Sequence, residues 1–274
     1  MKEICTNEDH EITMAYADDV AIITENQIQL QDAINRWQEG IKKYGLKINV
    51  NKTEIMNVNR HSQEYNIYID QQQLKQVTQF GYLGVLFTQD NTQNRAIAER
   101  IQKFNANLNM LYPLLKDKNI PIHCKTTIYN TILKPILLYG SETWTMTKNF
   151  ISKVNSAEMK VLRIIKGVTR KDKIRNTKIR EELKIEPVEE IISRNSLRWY
   201  GHIKRMEEDR YPLKYLEWKP EGRKPPERPR KRWLDGIKKN LRDRNIVLEE
   251  VKRQKLYEDR DRWRILKARP TTDR

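Results

Sequence analysis

Asp18 and Asp19 stand side by side in the stretch MAYADDVAII, residues 14–23, between two apolar runs. Two like charges at close range repel, more strongly in low-dielectric surroundings, and ionised carboxylates are rarely buried without a partner. The pair is therefore either a solvated turn or a cation site. At a hairpin tip, paired carboxylates suit a hard divalent ion such as Mg²⁺, which prefers oxygen ligands and shares its remaining positions with substrate phosphates. The matching chemistry is in-line phosphoryl displacement assisted by metal ions.

The flanking pattern predicts the hairpin that would present this pair. Ile12, Met14 and Tyr16 alternate as in a strand, and Val20–Ile23 reads as its partner. From Asn26, a plausible N-cap, Leu30, Ile34, Trp37, Ile41 and Tyr44 recur at helical spacing, with Gly45 as the stop. LKINVNKTEIMNV (46–58) and YNIYIDQQQLKQV (65–77) read as short strands, and FGYLGVLF (80–87) as a strand pair bent at Gly81 and Gly84. Beyond residue 92 the periodicity turns helical. Ile97, Ile101, Phe104, Leu108 and Leu111 mark one helix, Pro121 opens the next, and Pro135 kinks or ends it. YGSETW (139–144) reads as a loop. Further helices carry Val154, Val161, Leu162 and Ile165, begin near Pro187, and occupy 231–243 and 247–266. The expected class is α+β.

Composition points to a polyanion as partner. The 274-residue chain has a net charge of +16, but residues 1–150 hold 16 basic and 16 acidic side chains, whereas residues 151–274 hold 37 and 21. Cations interleave with aromatics at Arg198-Trp199-Tyr200, Lys204-Arg205 and Arg260–Arg264. Cations meet phosphates, and aromatic faces stack on unpaired bases; Trp199, Trp233 and Trp263 read first as core anchors of small amphipathic helices, and the cations rather than the tryptophans as the functional groups. The proline-flanked cluster Arg223, Lys224, Arg228, Arg230, Lys231 and Arg232 adds phosphate contacts and a nuclear-localisation patch. Cys5 and Cys124 make no disulfide framework, so the expected setting is intracellular, with nuclear access through that patch. No run of 18 apolar residues predicts a membrane span. The four histidines have no zinc spacing, and no Walker-type loop is present.

In order and spacing, YADD, then GLKINVNKTEIM, then FGYLGVLF resemble the last three palm motifs of reverse transcriptases, with the nearest likeness to the non-LTR, LINE-type retrotransposon polymerases of animals. The later blocks ILLYGSETW, LRWYGHIKRM and RPRKRWLDGIKKNL also resemble the C-terminal part of such elements. The resemblance implies a partial palm over 1–92, a thumb-like helical region over 93–148, and a basic helical C-terminal region over 149–274 with a Pro/Arg-rich linker near 217–230. It makes Asp18 the main Mg²⁺ ligand and Asp19 a second acidic group. It gives Lys52 the role of neutralising phosphate or protonating the departing pyrophosphate, and assigns Phe80, Tyr82, Leu83 and Gly84 to the primer grip. Arg198, Lys204, Arg205 and the 223–232 cations would contact nucleic acid, with an RNA template and a DNA primer or target as partners. The family's earlier palm aspartate and fingers come before YADD, and only 15 residues precede Tyr16 here. The expectation is a fragment of an RNA-directed DNA polymerase, missing an N-terminal polymerase segment and inactive alone. The alternative is a non-enzymatic nucleic-acid-binding remnant acting through its basic half.

Overall fold

The computed structural model describes residues 11–58, 63–218 and 231–269. They divide into two compact units, Met1–Arg95 and Ala96–Arg274, and the fold is α+β.

In the first unit, alternating apolar residues form β1 (Glu11–Tyr16) and β2 (Asp19–Thr24), paired antiparallel with Tyr16 opposite Asp19. Only Ala17 and Asp18 connect them, and Ala17 adopts a φ of 53°, the positive sign that tight two-residue hairpins demand. The helix α1 (Gln27–Lys42) starts where expected, the Asn26 side chain accepting from the Gln29 N–H at 3.0 Å. It stops at Gly45, whose φ of 71° lets Leu46 N–H reach back to Ile41 O at 3.1 Å. Its buried face carries Ala33, Ile34 and Trp37.

The two strands expected over 46–58 and 65–77 are largely replaced by turns. Asn49 accepts from the Lys52 N–H at 3.3 Å and fixes a 3₁₀ turn over Val50–Lys52, leaving only β3 (Glu54–Ile55); a short amide side chain here outcompetes the ladder. The second run folds on itself as β4 (Tyr68–Ile69) and β5 (Gln72–Gln73) around Asp70 and Gln71, both at positive φ. β6 (Lys75–Gln76) then pairs parallel with β3. The Gln31 amide substitutes for a missing strand at the edge of β4, donating to Tyr68 O and accepting from Tyr68 N–H, both at 2.8 Å. β7 (Gln79–Tyr82) and β8 (Val85–Thr88) form the last hairpin. Leu83 (φ 47°) and Gly84 (φ 77°) make its turn. Gly81 lies inside β7 and makes no bend, so that expectation is corrected. Ile34, Ile55, Ile67, Ile69 and Leu74 form the unit's small core.

The second unit is helical. α2 (Asn94–Lys116) buries Ile97, Phe104 and Leu108 as the spacing predicts. α3 (Ile122–Ile128) starts after Pro121. Pro135 does not end this helix, as one of the two expectations held. A π-helical stretch over Tyr129–Leu133 carries the chain into α4 (Lys134–Leu138), because Pro135 has no N–H for the carbonyl four residues back and its ring needs that carbonyl moved aside. α5 (Lys148–Lys166), capped by Thr147 and Gly167, packs with α6 (Asn176–Leu183), which the sequence pattern did not predict. One apolar cluster runs through these elements to Val188 and Ile192 at the start of α7 (Val188–Lys204). The short α8 (Tyr211–Glu217) comes next.

A second cluster joins Leu197 and Tyr200 of α7 to α9 (Trp233–Arg242), α10 (Leu248–Arg253) and α11 (Arg260–Ala268). The single helix expected over 247–266 is two, because Lys255 takes a positive φ of 47° and Asp259 caps a new start. Gly201 permits the close approach of α11. A Cβ there would lie 2.1 Å from Trp263 Nε1. The indole instead packs flush on α7 and donates to Leu197 O at 3.0 Å. Deep in the first cluster, Glu158 is 0% exposed. It accepts from the Tyr129 hydroxyl at 2.9 Å and from Arg180 Nε at 3.0 Å.

Candidate functional site

The β1–β2 register sorts the hairpin's residues by face. Directly paired residues share a face, so Ile12, Met14, Tyr16, Asp19, Ala21 and Ile23 lie together. The opposite face packs inward away from the turn, where Glu11 is buried and ion-paired with Arg36 of α1 and Ile22 rests on the core, while Ala15 and Val20 near the turn are exposed. Met14, Tyr16 and Ile23 are 42%, 66% and 50% exposed, beside Asp19 and the turn residue Asp18, both also exposed. An apolar face with carboxylates at one end thus stands open.

The β7–β8 hairpin meets this element. The Tyr82 hydroxyl donates to Met14 O at 3.4 Å. Burial, and after it the Asp19 carboxylate, raises the Tyr82 phenol above its ordinary pKa, which places the two groups within electrostatic reach. Phe80 stacks beside Tyr82 with ring centroids 6.5 Å apart, and Leu83 and Gly84 form the turn beyond. The structure thus brings Phe80 and Tyr82 to the acidic hairpin. Lys52 sits exposed in its 3₁₀ turn, with no hydrogen bond or ion pair to Asp18 or Asp19 among the described residues.

As donors, two exposed carboxylates suit Mg²⁺ in kind. Among the described residues, no group of three His, Cys, Asp or Glu is placed to hold a metal ion.

The candidate nucleic-acid contacts divide. Arg198 is exposed on α7. Arg205 donates to Tyr257 O at 2.6 Å and borders the same groove as Arg198. Lys204 turns away to Glu217 of α8, with its ammonium over the Tyr257 ring at 5.7 Å. Lys231 donates to Met146 O at 2.6 Å, and Arg232 lies beside Asp235. Arg223, Lys224, Arg228 and Arg230 lie outside the described residues, as does most of the expected 217–230 linker. Trp263 is a core anchor, 1% exposed. Trp233 is half-buried and donates to Glu142 O at 2.9 Å. Trp199 is half-buried beside His202. The sequence pattern placed Arg264 among the interleaved cations of 260–264 but did not single out Lys267 of α11. Their spacing from Arg260 marks one helix face, but only the packing of α11 on α7 shows what that face meets. No helix among the described residues is long and apolar enough to cross a membrane.

Residues 1–87 match the family described as reverse transcriptase (RNA-dependent DNA polymerase), and the match ends within β8. Across 95% of its length the chain is 25% identical to an uncharacterized transposon-derived protein of Caenorhabditis elegans, covering 96% of that protein. It is also 25% identical, over 69% of its length, to a probable RNA-directed DNA polymerase from transposon X-element of Drosophila melanogaster. Over 59% of its length it is 25% identical to the RNA-directed DNA polymerase from mobile element jockey of the same fly. The chain spans about a fifth of those two polymerases, 22% and 19%. No solved structure matches. The likeness to LINE-type reverse transcriptases carried by the three motifs is borne out.

Proposed function

We propose that this LINE-type reverse transcriptase chain carries the last palm elements of an RNA-directed DNA polymerase, and that its basic half holds nucleic acid. The observation that carries the reading is the pairing of the exposed Asp18–Asp19 hairpin with Tyr82 on the second hairpin, inside the segment that matches the family. In this reading Asp18 and Asp19 would hold Mg²⁺, which when bound neutralises phosphate charge. Phe80, Tyr82, Leu83 and Gly84 position a primer end next to them. Lys52 offers its ammonium to phosphate from the exposed turn. Residues 1–92 act as palm, 93–148 as thumb and 149–274 as the basic region.

The open face of Met14, Tyr16 and Ile23 and the two-carboxylate donor set both favour a partner segment that completes the palm. The chain alone should therefore not extend a primer. The test transplants residues 1–87 in place of the matching segment of the jockey polymerase and measures extension on an RNA template with Mg²⁺. A folded chimera that extends the primer, with extension abolished by Asp18→Ala, supports the reading. A folded but inactive chimera refutes the palm assignment. Extension by the chain alone, abolished by Asp18→Ala, refutes the incompleteness.

A further inference from the structure

α7 and α11 lie against each other through Trp263 on Gly201, and the sides of that contact leave an open groove of about 700 Å³, within the range of ligand clefts. Its composition is lopsided. α7 contributes Arg198 and Arg205, and α11 contributes Arg260, Arg264 and Lys267. The acidic lining is Glu142 and Asp261, and Asp261 pairs with Arg264 at 3.0 Å. Like charges gathered from two helices repel one another. Lys267 registers this: burial first, then the charges of Arg198, Arg205, Arg194 and Arg264, hold its ammonium below the ordinary lysine pKa.

The groove also has an aromatic wall. Trp199 and His202, one helical turn apart on α7, line it with ring centroids 5.3 Å apart and planes 38° from each other. Asn195, one turn before Trp199, adds an amide able to donate and accept. Cations on both rims with an aromatic wall between them are the components of a single-strand platform, where phosphates meet the cations and an unstacked base lies on the ring. A duplex keeps its bases stacked inside and offers that wall nothing.

We infer that the α7–α11 groove is a binding site for single-stranded nucleic acid, with strand phosphates on Arg198, Arg205, Arg264 and Lys267 and one base stacked on Trp199. It deepens the reading of the basic half as a nucleic-acid surface, does not depend on the palm assignment, and uses none of the residues 219–230.

The test measures binding of a labelled 12-nucleotide single strand, a duplex of the same sequence, and polyphosphate to the full-length chain over a series of salt concentrations. Three variants are compared with the native chain: Trp199→Ala, Trp199→Phe, and Arg198→Ala combined with Lys267→Ala. Circular dichroism checks each fold. Trp199→Ala should weaken single-strand binding by roughly 5- to 150-fold, the range for one lost stack, and leave polyphosphate binding unchanged. Trp199→Phe should restore most of it. The double variant should weaken both ligands and lower the slope of log affinity against log salt by about 1.4, at ~0.7 per phosphate. If Trp199→Ala weakens single strand and polyphosphate alike, or neither, the stacking site is refuted. If the double variant leaves slope and affinity unchanged while the native chain binds, the groove is refuted and the basic half binds elsewhere. If the native chain binds none of the ligands, both the groove and the nucleic-acid reading fall.

Discussion

Gly201→Ala sets two physical effects of opposite sign against each other. In an exposed helix interior, alanine is favoured over glycine by about 1 kcal/mol, so helix propensity alone predicts a more stable protein. The structure predicts the reverse. The new methyl would lie 2.1 Å from Trp263 Nε1 and 2.7 Å from its Cδ1 and Cε2. Ordinary contact is about 3.5 Å, so the indole must retreat by more than ~1 Å. It is 1% exposed and wedged against Tyr200 and Leu197, so it has no free space to enter. Overpacking costs roughly 1–3 kcal/mol, and weakening the Trp263–Leu197 hydrogen bond about 0.5–1.5 kcal/mol. After subtracting the propensity gain, the net loss is roughly 0.5–3.5 kcal/mol. Gly236 is the internal control: it is helical, within α9, and a Cβ there meets nothing within 4 Å. Gly236→Ala should stabilise the chain by about 0.5–1 kcal/mol. Urea titrations followed by tryptophan fluorescence give both values. If the two substitutions stabilise equally, α11 does not sit on α7 as described, and the groove between them goes with it.

The fold implies two further outcomes. Arg180→Ala leaves the buried Glu158 carboxylate with the Tyr129 hydroxyl but without its guanidinium, and should destabilise the second unit by about 3–5 kcal/mol; joint replacement Glu158→Leu with Arg180→Met should cost much less in the same urea titration, and equal losses would show the pair to be uncoupled. The open hairpin face should drive self-association of the chain, since contiguous exposed apolar surface favours it. Met14→Lys with Ile23→Lys should shift light-scattering profiles toward monomer, and an unchanged profile would show that this face is not the sticky one.

What the sequence disclosed was local. Alternation around Asp18 and Asp19 predicted β1 and β2, and Asn26 and Gly45 bounded α1, because both signals are carried by neighbouring residues. The 46–77 stretch misled, because apolar alternation was read there while Asn49, Asp70 and Gln71 quietly offered turns that needed no glycine. Helix 247–266 looked continuous because Lys255 is an ordinary helix former, yet its backbone is left-handed. Lys204 and Lys231 looked like surface cations and are engaged with Glu217 and Met146 O. The cation groove was least legible. Its two stripes lie some 60 residues apart in sequence, and only a glycine opposite an indole brings them side by side.

The π-helical stretch over Tyr129–Leu133 has a consequence for how this gene can change. A π turn carries one residue more than the α turn it replaces, so it is what a single inserted codon looks like once absorbed by a helix. Losing that codon would rotate the preceding helix by about 100° relative to α4. Tyr129 would swing off Glu158, and the carbonyl that Pro135 needs displaced would return beneath its ring. Length changes drift freely through surface loops. Here, in mid-helix, a three-nucleotide deletion that keeps the reading frame would be as damaging as a mis-sense change in the core.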